Sequence, residues 1–172
     1  MSRSTFSGPV YSGAGFVQGT DSIGQTITSA TATIPAPIVP PTWGGTSDGT
    51  EQYNGYLTLL SRAAGITITL PAASGSQAVY RFLVITSLSS NNHIIKVANS
   101  TDIMVGTMAV AATTGTTFST LATSDTITMN ATTQGGLAGS YVEVQDVRTG
   151  FWIVRGCLVG SGTAATPFSA AV

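Results

Sequence analysis

The pattern of this chain predicts an all-β fold, a β-sandwich or jelly-roll-like domain or a barrel, with an extended N-terminal arm. From Glu51 onward, apolar residues recur at every second position in short runs bounded by Gly, Asn and Ser, the period of a half-buried strand and the chemistry of a turn. No stretch sustains the 3.6-residue apolar repeat of an amphipathic helix. Charged residues make up only 8% of the chain, against about 25% in typical soluble domains. Threonine, serine and glycine fill the polar quota instead. Threonine is stiff at χ1 and favours extended backbone, and glycine serves turns.

The 172 residues suit one domain with a real core, divided as an arm over 1–50, a β-sandwich domain over 51–160 and a C-terminal tail over 161–172. The arm spaces single aromatics, Phe6, Tyr11 and Phe16, among small residues, and four of the seven prolines fall between Pro35 and Pro41. That density excludes regular helix and central strand. Between these parts, "GQTITSATATIPA" alternates as an edge strand does. A disordered tail is the other reading of this segment. The spaced aromatics favour docking, because disordered tails are poor in them.

In the sandwich, "GITITLP" sets Ile66, Ile68 and Leu70 on one face and Thr67 and Thr69 on the other. "AVYRFLVITSL" is apolar on both faces, as a central strand would be, and "SSNN" turns into "HIIKVAN". "DIMVGTMAVAA", "TTFSTLA" and "TITMNAT" follow as strands, making about eight at the 8–12-residue spacing of a sandwich or barrel. The one place where a short helix fits is "NGYLTLLSRAAG" over 54–65. The chain closes on a hairpin, "SYVEVQDVRTGFWIVR", with Gly150 where a short loop needs positive φ. Alternation places Val142 and Val144 with Trp152 and Val154 on the core face, and leaves Glu143 able to pair with Arg155 on the other.

Reactive chemistry finds few candidates. Glu143 and Asp146 are near in sequence but alternate to different faces, whereas a glycosidase needs two carboxylates across one bond. His93, the sole histidine, is read as an exposed turn residue without a nucleophile elbow. Cys157, the sole cysteine, sits in "WIVRGCLV" and reads as a small buried hydrophobe. It excludes an internal disulfide, and His and Cys are too few for a zinc site. "NSTD" over 99–102 is too sparse for calcium and reads as a turn in which Asp102 caps its own backbone. No catalytic residue, cofactor or metal is expected, and the chain is not expected to be an enzyme. The net charge of −1 gives no field favouring nucleic acid or an anionic membrane. No apolar run approaches the roughly 20 residues of a membrane span, and the N-terminus has no signal-peptide core.

Two segments, "ITITLPAASGSQAVYRFLVITSLSSNNHIIKVANSTDIMVG" and "GGLAGSYVEVQDVRTGFWIVRG", together with the opening "MSRSTFSGPVYSGAGF", resemble a pattern in small virion proteins of tailed bacteriophages. Head decoration (cement) proteins are the nearest of these. The resemblance covers roughly residues 2–17 and 64–156 and is moderately specific. It implies an all-β domain that binds the outer surface of the major-capsid lattice as a small homo-oligomer, a trimer favoured over a dimer. The protein would be synthesised in the bacterial host cytoplasm and reside on the capsid exterior. Under this reading Phe6, Pro9, Tyr11 and Phe16 are the candidate capsid or subunit contacts, since aromatics offer much contact area at low entropic cost; folding back onto their own sandwich is the alternative. A tail-associated carbohydrate-binding, adhesin-like sandwich is the competing function. Its site would draw on Trp43, Asp48, Tyr53 and Asn54 in "WGGTSDGTEQYNG".

Overall fold

A computed structural model describes residues 25–27, 31–33 and 57–172, the first two segments as backbone. Its strands are β1 (Gln25–Ile27), β2 (Thr31–Thr33), β3 (Leu57–Leu60), β4 (Thr67–Thr69), β5 (Val79–Val84), β6 (His93–Lys96), β7 (Ile103–Ala111), β8 (Thr116–Ser119), β9 (Thr126–Met129), β10 (Tyr141–Arg148), β11 (Phe151–Val159) and β12 (Phe168–Ser169). No helix occurs among the described residues. The strands form two sheets, ordered β1-β3-β5-β10-β11-β7-β8 and β12-β9-β6-β4-β2.

Through β1 to β6 the chain alternates between the sheets at every strand, so strands two apart in sequence become neighbours. They run parallel: β1 with β3 and β3 with β5 in one sheet, β2 with β4 and β4 with β6 in the other. The antiparallel hairpin β10–β11 completes the larger sheet between β5 and β7. This winding corrects two of the expected architectures. Among the described residues both sheets keep open ends, so these strands do not close into a barrel, and the parallel neighbours differ from a jelly roll, which is built from antiparallel strands.

The inward side chains of both sheets make one core. Ile66, Ile68 and Leu70 are at most 1% exposed, as are Val142, Val144, Trp152 and Val154 of the hairpin. Burying each such side chain stabilises the fold by about 1.5–3 kcal/mol. The Trp152 and Tyr80 rings lie 5.9 Å apart between centroids, tilted by 51°.

Four expectations change. Leu57–Leu60 is a strand, not the start of a helix: Leu60 is buried while Leu57 and Leu59 are half-buried on the other side. A short Leu-rich run does not distinguish the two periods, and pairing with β5 decides it. Residues 161–172, set apart as a tail, carry β12, which pairs with β9 and seats Phe168 in the core. The Asp125 carboxylate then accepts the Ala171 amide at 2.8 Å and the Val172 amide at 3.3 Å. Cys157 is exposed, because it shares the outward parity of Arg155 on β11. His93 is fully buried, because it lies in phase with Ile95 on β6, not in the turn before it.

Candidate functional site

The outer face of the seven-stranded sheet carries an ionic cluster set by register. Glu143 on β10 stands opposite Arg81 on β5 and opposite Arg155 on β11. Arg81 Nε donates to Glu143 Oε2 at 2.8 Å, Arg155 Nε donates to Oε1, and the Tyr141 hydroxyl donates to Oε2 at 2.9 Å. Burial alone would raise the Glu143 carboxyl; the bonds from Arg81, Arg155 and Tyr141 outweigh it and bring it down to about 2. The pairing anticipated between Glu143 and Arg155 is thus present, with Arg81 as a second partner.

The next rank over this face is Leu59, Leu83, Tyr141, Cys157 and Ala109, and the rank on the other side is Val79, Gln145, Ile153 and Val105. Arg148 lies 3.5 Å above the Phe151 ring centroid at the hairpin end, a cation–π contact. Two guanidiniums on one carboxylate, bordered by apolar and aromatic ranks, make a rigid amphipathic surface suited to contact. Glu143→Gln is expected to cost about 1–2 kcal/mol, since both arginines reach in from solvent and are screened. Because the folded Glu143 carboxyl lies below its unfolded value, the wild-type advantage is full above pH 4.5 and fades as pH falls towards 2. Urea titrations of the two proteins at pH 7 and at low pH read this difference.

At one end of the sandwich, two aspartates hold the loop after β4. Asp102 Oδ2 accepts the Ala73 amide at 2.8 Å and the Asn99 side-chain amide at 3.0 Å. The buried Asp146 accepts the next three amides: Gly75 at 2.7 Å on Oδ1, Ser76 at 3.0 Å on Oδ2, and Ser74 shared between both oxygens. The Ser74 and Ser76 hydroxyls donate to Oδ2 at 3.0 and 2.7 Å. Gly75 at φ +81° and Gln77 at φ +63° give the curvature that converges these donors, an anion nest filled by the chain's own carboxylate. Burial pushes the Asp146 carboxyl up, but the bonds from Ser76, Gly75 and Ser74 win and hold it below the usual range. In the 99–102 turn the capping group is Asn99, whose Oδ1 accepts the Thr101 and Asp102 amides at 2.9 and 3.0 Å. Asp102 is committed across the fold instead.

His93 faces the core between Met129, opposite it on β9, and Ile66, which the register sets level with it just before β4, with Ile95 next along its own strand. Neither ring nitrogen has a hydrogen-bond partner among the described residues, and burial lowers the imidazole pKa to about 4.

Phe6, Pro9, Tyr11 and Phe16, and likewise Trp43, Asp48, Tyr53 and Asn54, lie outside the described residues. Sequence reasoning passed over Arg81; it weighed Asp146 only as a glycosidase carboxylate and Asp102 only as the cap of its own turn, so the roles of both in holding the Ala73–Ser76 loop were missed. For Asp146 a signal exists: it is in phase with Val142 and Val144, so it points into the core and demands donors. No protein-family model, curated protein or solved structure matches the chain.

Proposed function

We propose that this chain is a head decoration protein of a tailed bacteriophage, binding the outside of the major-capsid lattice and stabilising the head by contact, not by catalysis. The observation that carries the reading is the use the fold makes of the motif residues. The segments that resemble phage virion proteins include Ala73–Ser76, Asp102, Asp146, Gly150 and Trp152. Here these residues build a carboxylate-held loop, a turn with Gly150 at φ +79° and the core. A motif spent on rigidity specifies a carrier for surfaces, and a decoration protein is such a carrier. Wide uncharged areas also let neighbouring copies crowd on a lattice without repulsion. Under this reading the protein sits on the virion exterior after synthesis in the host cytoplasm.

The test is cosedimentation with expanded, undecorated capsids of the cognate phage. Full-length protein is compared with a version lacking residues 1–24, which retains β1 and β2. Saturable binding of the full chain, lost in the shortened one, is the expected result and assigns the anchor to the arm. Binding by both keeps the decoration role and removes the arm contacts. Binding by neither overturns the reading.

A further inference from the structure

The geometry points to the open edge at β8 as the docking site for a second copy of this chain, related by a two-fold axis through Phe118. β8 ends the seven-stranded sheet and pairs only with β7 among the described residues. The Thr120 amide donates to the Gly106 carbonyl at 3.0 Å. Bonded and non-bonded positions alternate along an antiparallel ladder. Thr116 and Phe118 therefore direct their backbone groups at β7, and Thr117 and Ser119 direct theirs outward.

Among the described residues nothing guards this edge. From Ile103 to Ser124 the sequence has no charged residue and no proline, the usual means of blunting an exposed strand. Two of the exposed large hydrophobics lie at the same place: Leu121, 75% exposed, follows β8, and Val105, 39% exposed, lies on β7 next to Gly106. Ile153 on β11 continues the apolar rank inward from Val105.

A second β8 laid antiparallel on the first is self-complementary. Thr117 meets Ser119 of the other copy and Ser119 meets its Thr117, so each outward-facing pair closes its own backbone bonds. Phe118, half-buried, meets Phe118 at the close non-bonded position, where aromatic cross-strand pairs are favourable. The same register sets Leu121 opposite Gly115, where no side chain competes for the space. Residues near a two-fold axis face themselves, and a stretch without charge meets no like-charge repulsion there. The contact is two-fold, so the assembly it makes is a dimer in place of the trimer favoured above.

Sedimentation equilibrium of the purified full-length protein, over a concentration series, tests this independently of any capsid. Wild type is expected to dimerise. Ser119→Pro removes an outward amide while sparing the β7 ladder, and Thr117→Lys sets like charges together. Each should raise the dimer dissociation constant by about tenfold or more, with circular dichroism and thermal midpoint confirming the fold. In a Cys157→Ser background, Phe118→Cys should yield a disulfide-linked dimer on mild oxidation, whereas Thr163→Cys should not. A wild type that stays monomeric, an oligomer indifferent to both edge variants, or no cross-link at position 118 would each overturn the proposal.

Discussion

Asp146→Ala is expected to lower the unfolding free energy by about 3–5 kcal/mol, the range for removing one partner from a buried charged network. The carboxylate accepts three consecutive amides and two hydroxyls. Without it, the Ser74, Gly75 and Ser76 amides converge on empty space. The Ser76 hydroxyl also loses its stronger partner, keeping only the 3.3 Å contact from the Ala78 amide. Asp146→Asn keeps the shape but turns an NH₂ towards donors, so it should fall between alanine and wild type. Ser76→Ala removes one hydroxyl bond and should cost about 1 kcal/mol. The wild-type contribution is present above the unfolded carboxylate pKa and lost as pH falls through the lower folded value. Urea denaturation at pH 7 measures the series. An Asp146→Ala midpoint within experimental error of wild type would mean that the loop is held by something other than this carboxylate.

Period-2 alternation was enough to place most of the β4–β11 core in advance. Ile66, Ile68 and Leu70 face inward together, as do the four apolar hairpin residues, and Gly150 turns the hairpin. Sheet assignment was not legible. A strand's pattern states which face is buried but not which strand lies beside it, so the winding of β1–β6 and its parallel neighbours left no mark in the alternation. Glu143–Arg155 was visible because a tight hairpin fixes its own register; Arg81 was not, because β5 joins β10 across more than fifty residues of chain. The errors at Asp102, Cys157 and His93 share a cause. Residue type alone makes each a cap, a small hydrophobe or a turn residue, although the parity of β11 for Cys157, of β6 for His93, and of the strand just after Asp102 pointed elsewhere.

His93 makes that parity measurable. Its folded pKa of about 4 lies below the ordinary 6.5, so between these values the unfolded chain binds a proton that the folded chain refuses. Stability therefore rises with pH through this window: it is full above about 6.5, falls as pH drops and levels off below 4. The loss is at most about 3.5 kcal/mol at roughly 1.4 kcal/mol per pKa unit. The effect separates from the carboxylates because Glu143 titrates near 2 in the folded state and 4.5 in the unfolded one. Burial alone sets the His93 shift; on its own strand the charged neighbour is Lys96, which points to the opposite face. His93→Leu replaces two unpartnered buried nitrogens with apolar volume, so at pH 7 it should be as stable as wild type or more so, by about 1–2 kcal/mol. The slope between pH 6.5 and 4 should disappear with it. As the chain has one histidine, its imidazole signals in an NMR titration need no assignment. A midpoint near 6.5 would put the ring in contact with water and remove both expectations, whereas one near 4 would fix β6 in the register that buries His93 beside Met129.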